Sequence, residues 1–508
     1  MKIFPDKEAF IALARDGNVI PVYADLMADA ETPVSVFSKL RQGGAAFLLE
    51  SITGGERVSR YSFAGSRPKQ TITVWPDRTV ITHRDGCTET FETPADPLGL
   101  VEAIIAPCRP VVLPGMPAFT GGAVGFVGYE YIHCIEPSVP PAAKDELGVP
   151  LLCFMIMDSV VIFDHARQMI RLCVNAFTEE GDALVDVAWE RAVAELQALL
   201  DIVRTPRSLA PAALMVDAEV AVPTGNFTQA SFEAAVEKVR EYIFAGDGVQ
   251  VVLSQRFEQA FSSGALSLYR ILRCINPSPF MFILESGAGF QLVGASPEVN
   301  VRYSNGLASI RPIAGTRPRG YDDAEDKRLE AELLSDEKEV AEHLMLVDLA
   351  RNDLGRVSQV GSVRVAEYAA IERYSHVMHI VSEVEGRLEE GRNAFDLFRA
   401  TFPAGTLSGA PKVRAMQIIS ELEGTRRGFY GGALGYFSFS GNHDSCIAIR
   451  SALLKDGRAY MQAGAGIVAD SIPGKEYTET LNKSMSVLKA LAIAEKMKDL
   501  TATDVVRY

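Results

Sequence analysis

The amino-acid sequence predicts an α+β protein with large, mostly antiparallel sheets forming a β-sandwich-like core and helices packed outside. Three observations lead there. Strand-like and helix-like stretches do not alternate one for one, which speaks against a doubly wound parallel sheet. Long helical patterns at 324–354 and 476–498 stand beside β-like runs at 249–257, 289–293 and 375–384. The run GGAVGF at 121–126 is echoed by GGALGY at 431–436. Glycine recurs where a strand passes close to another backbone or a ligand. The echo reads either as two independent strands or as two halves built on one strand scaffold.

The elements follow in order. A chain of 508 residues suggests two large domains, or one with a substantial insertion. Between 206 and 227 prolines recur and no amphipathic period persists. This stretch is read as a linker between an N-terminal domain, 1–205, and a C-terminal domain, 228–508. The second domain opens with a helix whose stripe is Phe232, Ala235, Val236, Val239, Tyr242 and Ile243. Thr228 or Ser231 can cap its start and Gly246 can end it. Shorter helices are expected at 393–401 and 411–423.

Composition excludes several classes. The formal net charge of −15 disfavours non-specific nucleic-acid binding but not a small anionic substrate. No secretory signal and no membrane span are expected. The seven cysteines are scattered singly with no CxxC pair, so neither a disulfide framework nor a zinc site is indicated. A cytoplasmic, reducing setting is expected.

Acidic pairs lead the candidate functional residues. In DEKEVAEH, 336–343, Asp336 can cap a helix with Glu339 at the third helical position of a capping box. Glu339 and Glu342 share one helix face. Glu476 and Glu479 repeat the spacing on the last long helix, with Lys483 four residues on. Spacing alone leaves two readings. One is a solvated face with an ion pair contributing about 0.3–0.5 kcal/mol. The other is a pair of faces converging on an oxygen-only site suited to Mg²⁺.

Other signals are local. In FPAGTLSGAPK, 402–412, Ser408 can cap a helix with Pro411 in its first turn. Such a helix start can present N–H groups to an anion. The small residues Ala463-Gly464-Ala465-Gly466 permit backbone contact with a ligand, or tight strand packing. Arg450, after the apolar strand 445–449, is a candidate carboxylate fork. On the strand from 375, His376 and His379 face opposite sides. Each is a structural histidine or a proton carrier.

Together the runs PIAGTRPRG (312–320), DEKEVAEHLMLVDLARNDLGRV (336–357), HVMHIVSEVEG (376–386), FPAGTLSGAPK (402–412) and QAGAGIVADSIPGKEYTETLNKS (462–484) carry a resemblance. They resemble the chorismate-binding domain of anthranilate synthase component I and its relatives. LLES (48–51) and the glycine-rich run at 119–129 extend the likeness into the N-terminal half. The resemblance implies a lyase that turns chorismate and ammonia into anthranilate and pyruvate through aminodeoxyisochorismate, the first step of tryptophan biosynthesis. It implies Mg²⁺, with Glu342 and Glu479 as direct ligands and Glu339 and Glu476 nearby or bridging through water. Glu298 would protonate the departing hydroxyl, Thr406 would hydrogen-bond substrate near the ring, and His379 would act in the second stage. Arg450, Tyr430 and the backbone of Gly464 and Gly466 would hold the pyruvyl carboxylate. Gly315, Thr316, Ala465 and Lys483 complete the substrate site.

Two positions separate this chain from relatives with other reactions. Water-using isochorismate and salicylate synthases carry a lysine where this sequence has Gln250, so ammonia is the expected nucleophile. Aminodeoxychorismate synthases usually carry a nucleophilic lysine where Ala314 stands. An aminodeoxyisochorismate synthase, an aminodeoxychorismate synthase and a non-catalytic amino-acid sensor remain the alternatives. No cysteine sits on a glycine-flanked nucleophile turn, so a separate glutamine amidotransferase subunit, and hence a hetero-oligomer, is expected. By resemblance, Leu49, Glu50, Ser51, Pro279, Phe280 and Met281 form a tryptophan-inhibitor site. The competing reading is a buried strand end packed on a proline-rich turn. Many relatives have tyrosine at the position of Phe280.

Overall fold

The central strands are buried at successive positions, so each sheet has two apolar faces, and this fixes a layered architecture. The computed structural model describes residues 2–52, 60–178, 182–207, 209, 219–374 and 377–503. In strand Ala46–Glu50, Phe47 faces a central cluster while Leu48 faces another. Phe282 and Ile283 in strand Phe280–Glu285 divide the same way. The central cluster, with Phe47, Phe126, Phe282 and Leu434, lies between the sheets. Two outer clusters bury the far faces under helices. Burying each such phenylalanine contributes about 1.5–3 kcal/mol. This is the expected α+β sandwich with helices outside.

The first sheet has 11 strands: five from residues 19–177 beside six from residues 250–467. They join where Ala46–Glu50 pairs antiparallel with Phe280–Glu285. The second sheet has 12 strands: five from residues 70–157 beside seven from residues 299–447. There Gly122–Val127 pairs antiparallel with Ala433–Ser438. Both sheets therefore run across the 206–227 boundary.

The second join explains the glycine echo. Gly125 stands opposite Gly435. A Cβ on Gly125 would lie 2.0 Å from the Cys153 carbonyl oxygen, and one on Gly435 would lie 2.1 Å from that of Asp444. The two runs are neighbours in one sheet.

Helix Gln229–Phe244 starts as read: Thr228 and Ser231 form a capping box, and Gly246 follows the end at φ 87°. Three expectations need correction. The helical pattern at 324–354 is two helices, Asp323–Ser335 and Glu337–Gly355, broken at Asp336. Asp336 accepts from the backbone N–H of Lys338 and Glu339, a cap that starts a new helix. Ser408 caps nothing; its hydroxyl donates to the carbonyls of Ala404 and Gly405, and helix Lys412–Glu423 begins behind Pro411. The strand before Arg450 spans His443–Ile447, because the chain bends and Arg450 takes φ 51°. Asp336→Ala is expected to lose about 1 kcal/mol, read as a lower urea midpoint. Among the described residues no helix is long and apolar enough to cross a membrane.

Candidate active site

The sequence places short polar residues and glycines at strand ends and turns; Glu298 and Thr406 line one cleft, and Lys483 and Arg450 link it to Gly464 and His379. Glu298 follows strand Phe290–Ser296 and is 7% exposed. Thr406, in the one-turn helix Gly405–Leu407, donates its hydroxyl to Glu298 Oε1 at 2.6 Å. Burial pushes the Glu298 carboxyl up to about 7, against the opposing pull of the Thr406 hydrogen bond and the Lys483 charge. A carboxyl that holds its proton near neutrality suits a general acid.

The floor of the cleft is strand Arg458–Ile467, paired with strand Gln250–Ala260. Gly464 leaves no room for a side chain without a shift: a Cβ there would lie 2.9 Å from the Leu253 carbonyl oxygen and 3.0 Å from Ser254 Cβ and the Tyr430 hydroxyl. At Gly466 a Cβ would sit 2.2 Å from Gln250 Nε2. Gln250 is buried and its Oε1 has no hydrogen-bond partner. Ala465 points the other way, into a cluster beneath helix Gln229–Phe244.

Lys483, on helix Pro473–Thr503, donates to the Gly464 carbonyl at 3.0 Å and pairs with Glu479 at 2.6 Å. Arg450 donates to the Lys483 carbonyl at 2.5 Å, and Glu479 and Tyr430 bear on its charge. The positive φ of Arg450 turns the chain between two strands toward this cluster.

His379 lies on strand Val377–Arg387, with Nδ1 2.7 Å from the Gly315 carbonyl and 3.2 Å from Thr316 Oγ1. A carbonyl only accepts, so Nδ1 carries the proton and Nε2 is left as the basic nitrogen. Burial lowers the His379 pKa, opposed by the Gly315 contact, and Arg450 lowers it further. A neutral imidazole results, fit to take a proton. His376 lies outside the described residues.

The two acidic faces do approach. Burial raises the Glu342 carboxyl first, and the charges of Glu339 and Glu479 raise it further while Lys483 opposes them. Glu476 is raised by burial and by Glu479, and lowered by its Ser471 hydrogen bond. Glu339 lies 3.6 Å from Arg317. Among the described residues no three His, Cys, Asp or Glu groups converge into a ready metal site. Mg²⁺ asks for less, since it usually takes one or two carboxylates with waters and substrate oxygens. Mutually repelling carboxylates of hard-oxygen type, ranging from buried Glu476 through half-buried Glu339 and Glu342 to exposed Glu479, therefore fit it.

A separate cavity of about 460 Å³ opens over the join of the first sheet, where Glu50 pairs with Met281. It is lined by Leu49, Glu50, Ser51, Pro279, Phe280 and Met281, along with Tyr436 and Asp444 from the second sheet. Glu50 is held from behind by the Tyr269 hydroxyl at 2.5 Å and by Arg273 Nε at 3.1 Å. Ser51 Oγ and Asp444 Oδ1 are buried without partners.

Sequence reading missed Arg427, Glu423 and Glu130. Arg427 and Glu423 form a fully buried ion pair at 2.6 Å behind Thr406 and Tyr430. The only available signals were their spacing of four residues and the neighbouring Tyr430.

The cleft, a buried acid and a neutral histidine beside carboxylates and a glycine floor, defines an enzyme-like site for a small anionic ligand. The chorismate binding enzyme family matches residues 44–489, and the chain belongs to that family. Within it, the chain is 45% identical to anthranilate synthase component 1 of Acetivibrio thermocellus, over 97% of this chain and 100% of that one. It is 46% identical to the same component of Pseudomonas aeruginosa, over 97% and 99%. The solved anthranilate synthase component I of Streptococcus pneumoniae superposes with a TM-score of 0.74 at 36% identity, covering 91% of this chain and 99% of that one.

Proposed function

We propose that this chain is the ammonia-using synthase subunit that converts chorismate to anthranilate and pyruvate. The observation that carries this is a buried Glu298, its carboxyl pushed up to about 7, linked through Lys483 and Arg450 to a neutral His379, with Gln250 against Gly466 on the strand floor. Near-full-length likeness to anthranilate synthase component 1 proteins supports it.

The steps balance. Ammonia forms a bond to C2 as the C4–O bond breaks, and Glu298 gives its proton so that water leaves. The ammonium so formed returns its extra proton to the Glu298 carboxylate. His379 Nε2 then removes the C2 proton as the enolpyruvyl C–O bond breaks and passes it to the methylene carbon of the departing enolate, releasing pyruvate and leaving the aromatic ring. Thr406 aligns Glu298, and Gly315 fixes the histidine tautomer. Arg450, Tyr430 and the Gly464 backbone hold the pyruvyl carboxylate, with Lys483 keeping the strand floor and Arg450 in register. Gln250 lacks the basicity to activate water but can accept a hydrogen bond from ammonia on its free Oε1. Glu342 and Glu479 would hold Mg²⁺, with Glu339 and Glu476 close by. The ion supplies charge neutralisation for the ring carboxylate.

A separate glutamine amidotransferase subunit supplies ammonia, and the complex works in the cytoplasm. Purified chain given chorismate, Mg²⁺ and ammonium should produce anthranilate fluorescence, and EDTA should abolish it. Folded protein that releases isochorismate or aminodeoxyisochorismate instead would refute this reaction.

The cavity of about 460 Å³ fits an amphipathic amino acid, and we assign it to tryptophan as feedback inhibitor. Unpaired Ser51 Oγ and Asp444 Oδ1 offer polar contacts, while Phe280 and Met281 frame the ring. Ser51→Phe should raise the tryptophan concentration for half-inhibition by at least about tenfold, since filling the cavity removes more than 1.4 kcal/mol of binding. Unchanged inhibition in a titration of chorismate turnover would place the inhibitor elsewhere.

A further inference from the structure

Arg427 is the bulkiest fully buried side chain among the described residues, with 1% exposure. A guanidinium stays charged, so burial at this depth needs full pairing. Its Nε and Nη2 donate to the two Glu423 oxygens at 2.9 and 2.6 Å. The same fork donates from Nη1 to the Leu407 carbonyl at 2.6 Å and from Nη2 to the Val252 carbonyl at 2.8 Å. Its Cζ lies 4.6 Å from the centroid of the Tyr129 ring and 5.6 Å from that of the Tyr430 ring.

Each partner leads to the cleft. Leu407 is the residue after Thr406, in the turn that aims the Thr406 hydroxyl at Glu298. Val252 pairs with Gly466 on the strand floor. Glu423 Oε1 accepts from the Ser254 N–H and hydroxyl, both at 2.7 Å, and Gln462 donates to that hydroxyl at 2.8 Å. The Arg427 and Gly428 backbone N–H groups donate to Glu130, at 2.7 and 2.9 Å, tying in the N-terminal segment.

We propose that Arg427 is a positioning residue for the reaction. Its planar fork fixes the Leu407 carbonyl, and thereby the Thr406–Glu298 hydrogen bond, against the strand floor and Tyr430. This rests on the chorismate reaction proposed above. A lysine offers a single ammonium without the fork and cannot span both carbonyls and Glu423 in one plane.

The kinetic signature follows from Glu298. Thr406 holds the Glu298 carboxyl below the value that burial alone would set, so a displaced hydroxyl lets it titrate higher. The other charges around Glu298 are Lys483 and, lining the adjoining cleft, Asp353, which is paired with Lys412 at 2.8 Å. Neither contacts Arg427 through any bond described.

The test compares wild type, Arg427→Lys and the double variant Arg427→Met with Glu423→Gln. The double variant removes both buried charges together, which keeps the fold when one unpaired charge would not. Chorismate consumption and anthranilate are both followed across pH with the full chain. Expected in any folded variant is a kcat loss of about 100-fold, exceeding any rise in KM, with the alkaline limb moved to higher pH. On a Thr406→Val background the same changes should add little, because the residue they act through is gone. Activity lost only in proportion to unfolded protein, or an unmoved limb, overturns the proposal. Wild type that consumes chorismate without making anthranilate refutes the second stage of the reaction and leaves the Arg427 comparison readable. Wild type that consumes no chorismate overturns both.

Discussion

Glu298→Gln is expected to lower kcat for chorismate consumption by about 10³-fold or more, with chorismate still bound. The amide keeps the size of the side chain and can still receive the Thr406 hydroxyl, but it has no proton to give to the leaving oxygen. The pH dependence carries the sharper test. Glu298 is pushed up to about 7 by burial, and as the proposed general acid it works in its protonated form. The wild-type rate should therefore fall as pH rises through about 7, and the residual rate of the variant should lack that fall. Stability follows the same group with a definite sign. The folded state keeps a proton that the unfolded state releases near its ordinary value of 4.5, so the native state is the more protonated between there and about 7. This stabilising contribution is present at low pH and is lost as pH climbs through that window. Glu298→Gln should thus raise the melting temperature at pH 8 more than at pH 5. Equal changes at both would mean that the carboxylate is not desolvated.

His379→Ala is expected to lower anthranilate formation by about 10²–10⁴-fold while chorismate consumption falls far less. In the proposed reaction the histidine acts only in the second stage, so an amino intermediate should accumulate and be seen by chromatography. The Gly315 carbonyl fixes Nδ1 as the donor, so His379→Gln, which can present only an amide, should not restore the step. Equal loss of chorismate consumption and anthranilate would move His379 out of its proposed role.

The sequence made the sandwich legible because alternation and glycine placement are local signals. The capped helix from Thr228 and the glycines at 464 and 466 belong to this class. What escaped was set by tertiary context. The break at Asp336 was hidden because its flanks continue the same period, and only the cap geometry divides them. Ser408 looked like a cap, yet its hydroxyl turns back to Ala404 and Gly405. Glu339 and Glu342 could be placed on one helix face, but their nearness to Glu479 is a long-range fact. Arg427 was invisible for the same reason: a charged residue in RRGFY reads as surface until the packing around Leu407 and Val252 encloses it.

The two sheet joins bear on how this polypeptide can be made. Severing the chain in the stretch 206–227 would leave each fragment with two raw edges. The first fragment would bare strands Ala46–Glu50 and Gly122–Val127, and the second would bare Phe280–Glu285 and Ala433–Ser438. These four segments are apolar and nearly devoid of charge, and so are templates for self-association. Each fragment is expected to self-associate, and a nascent chain holds one edge of Ala46–Glu50 and one of Gly122–Val127 open until the late strands emerge from the ribosome.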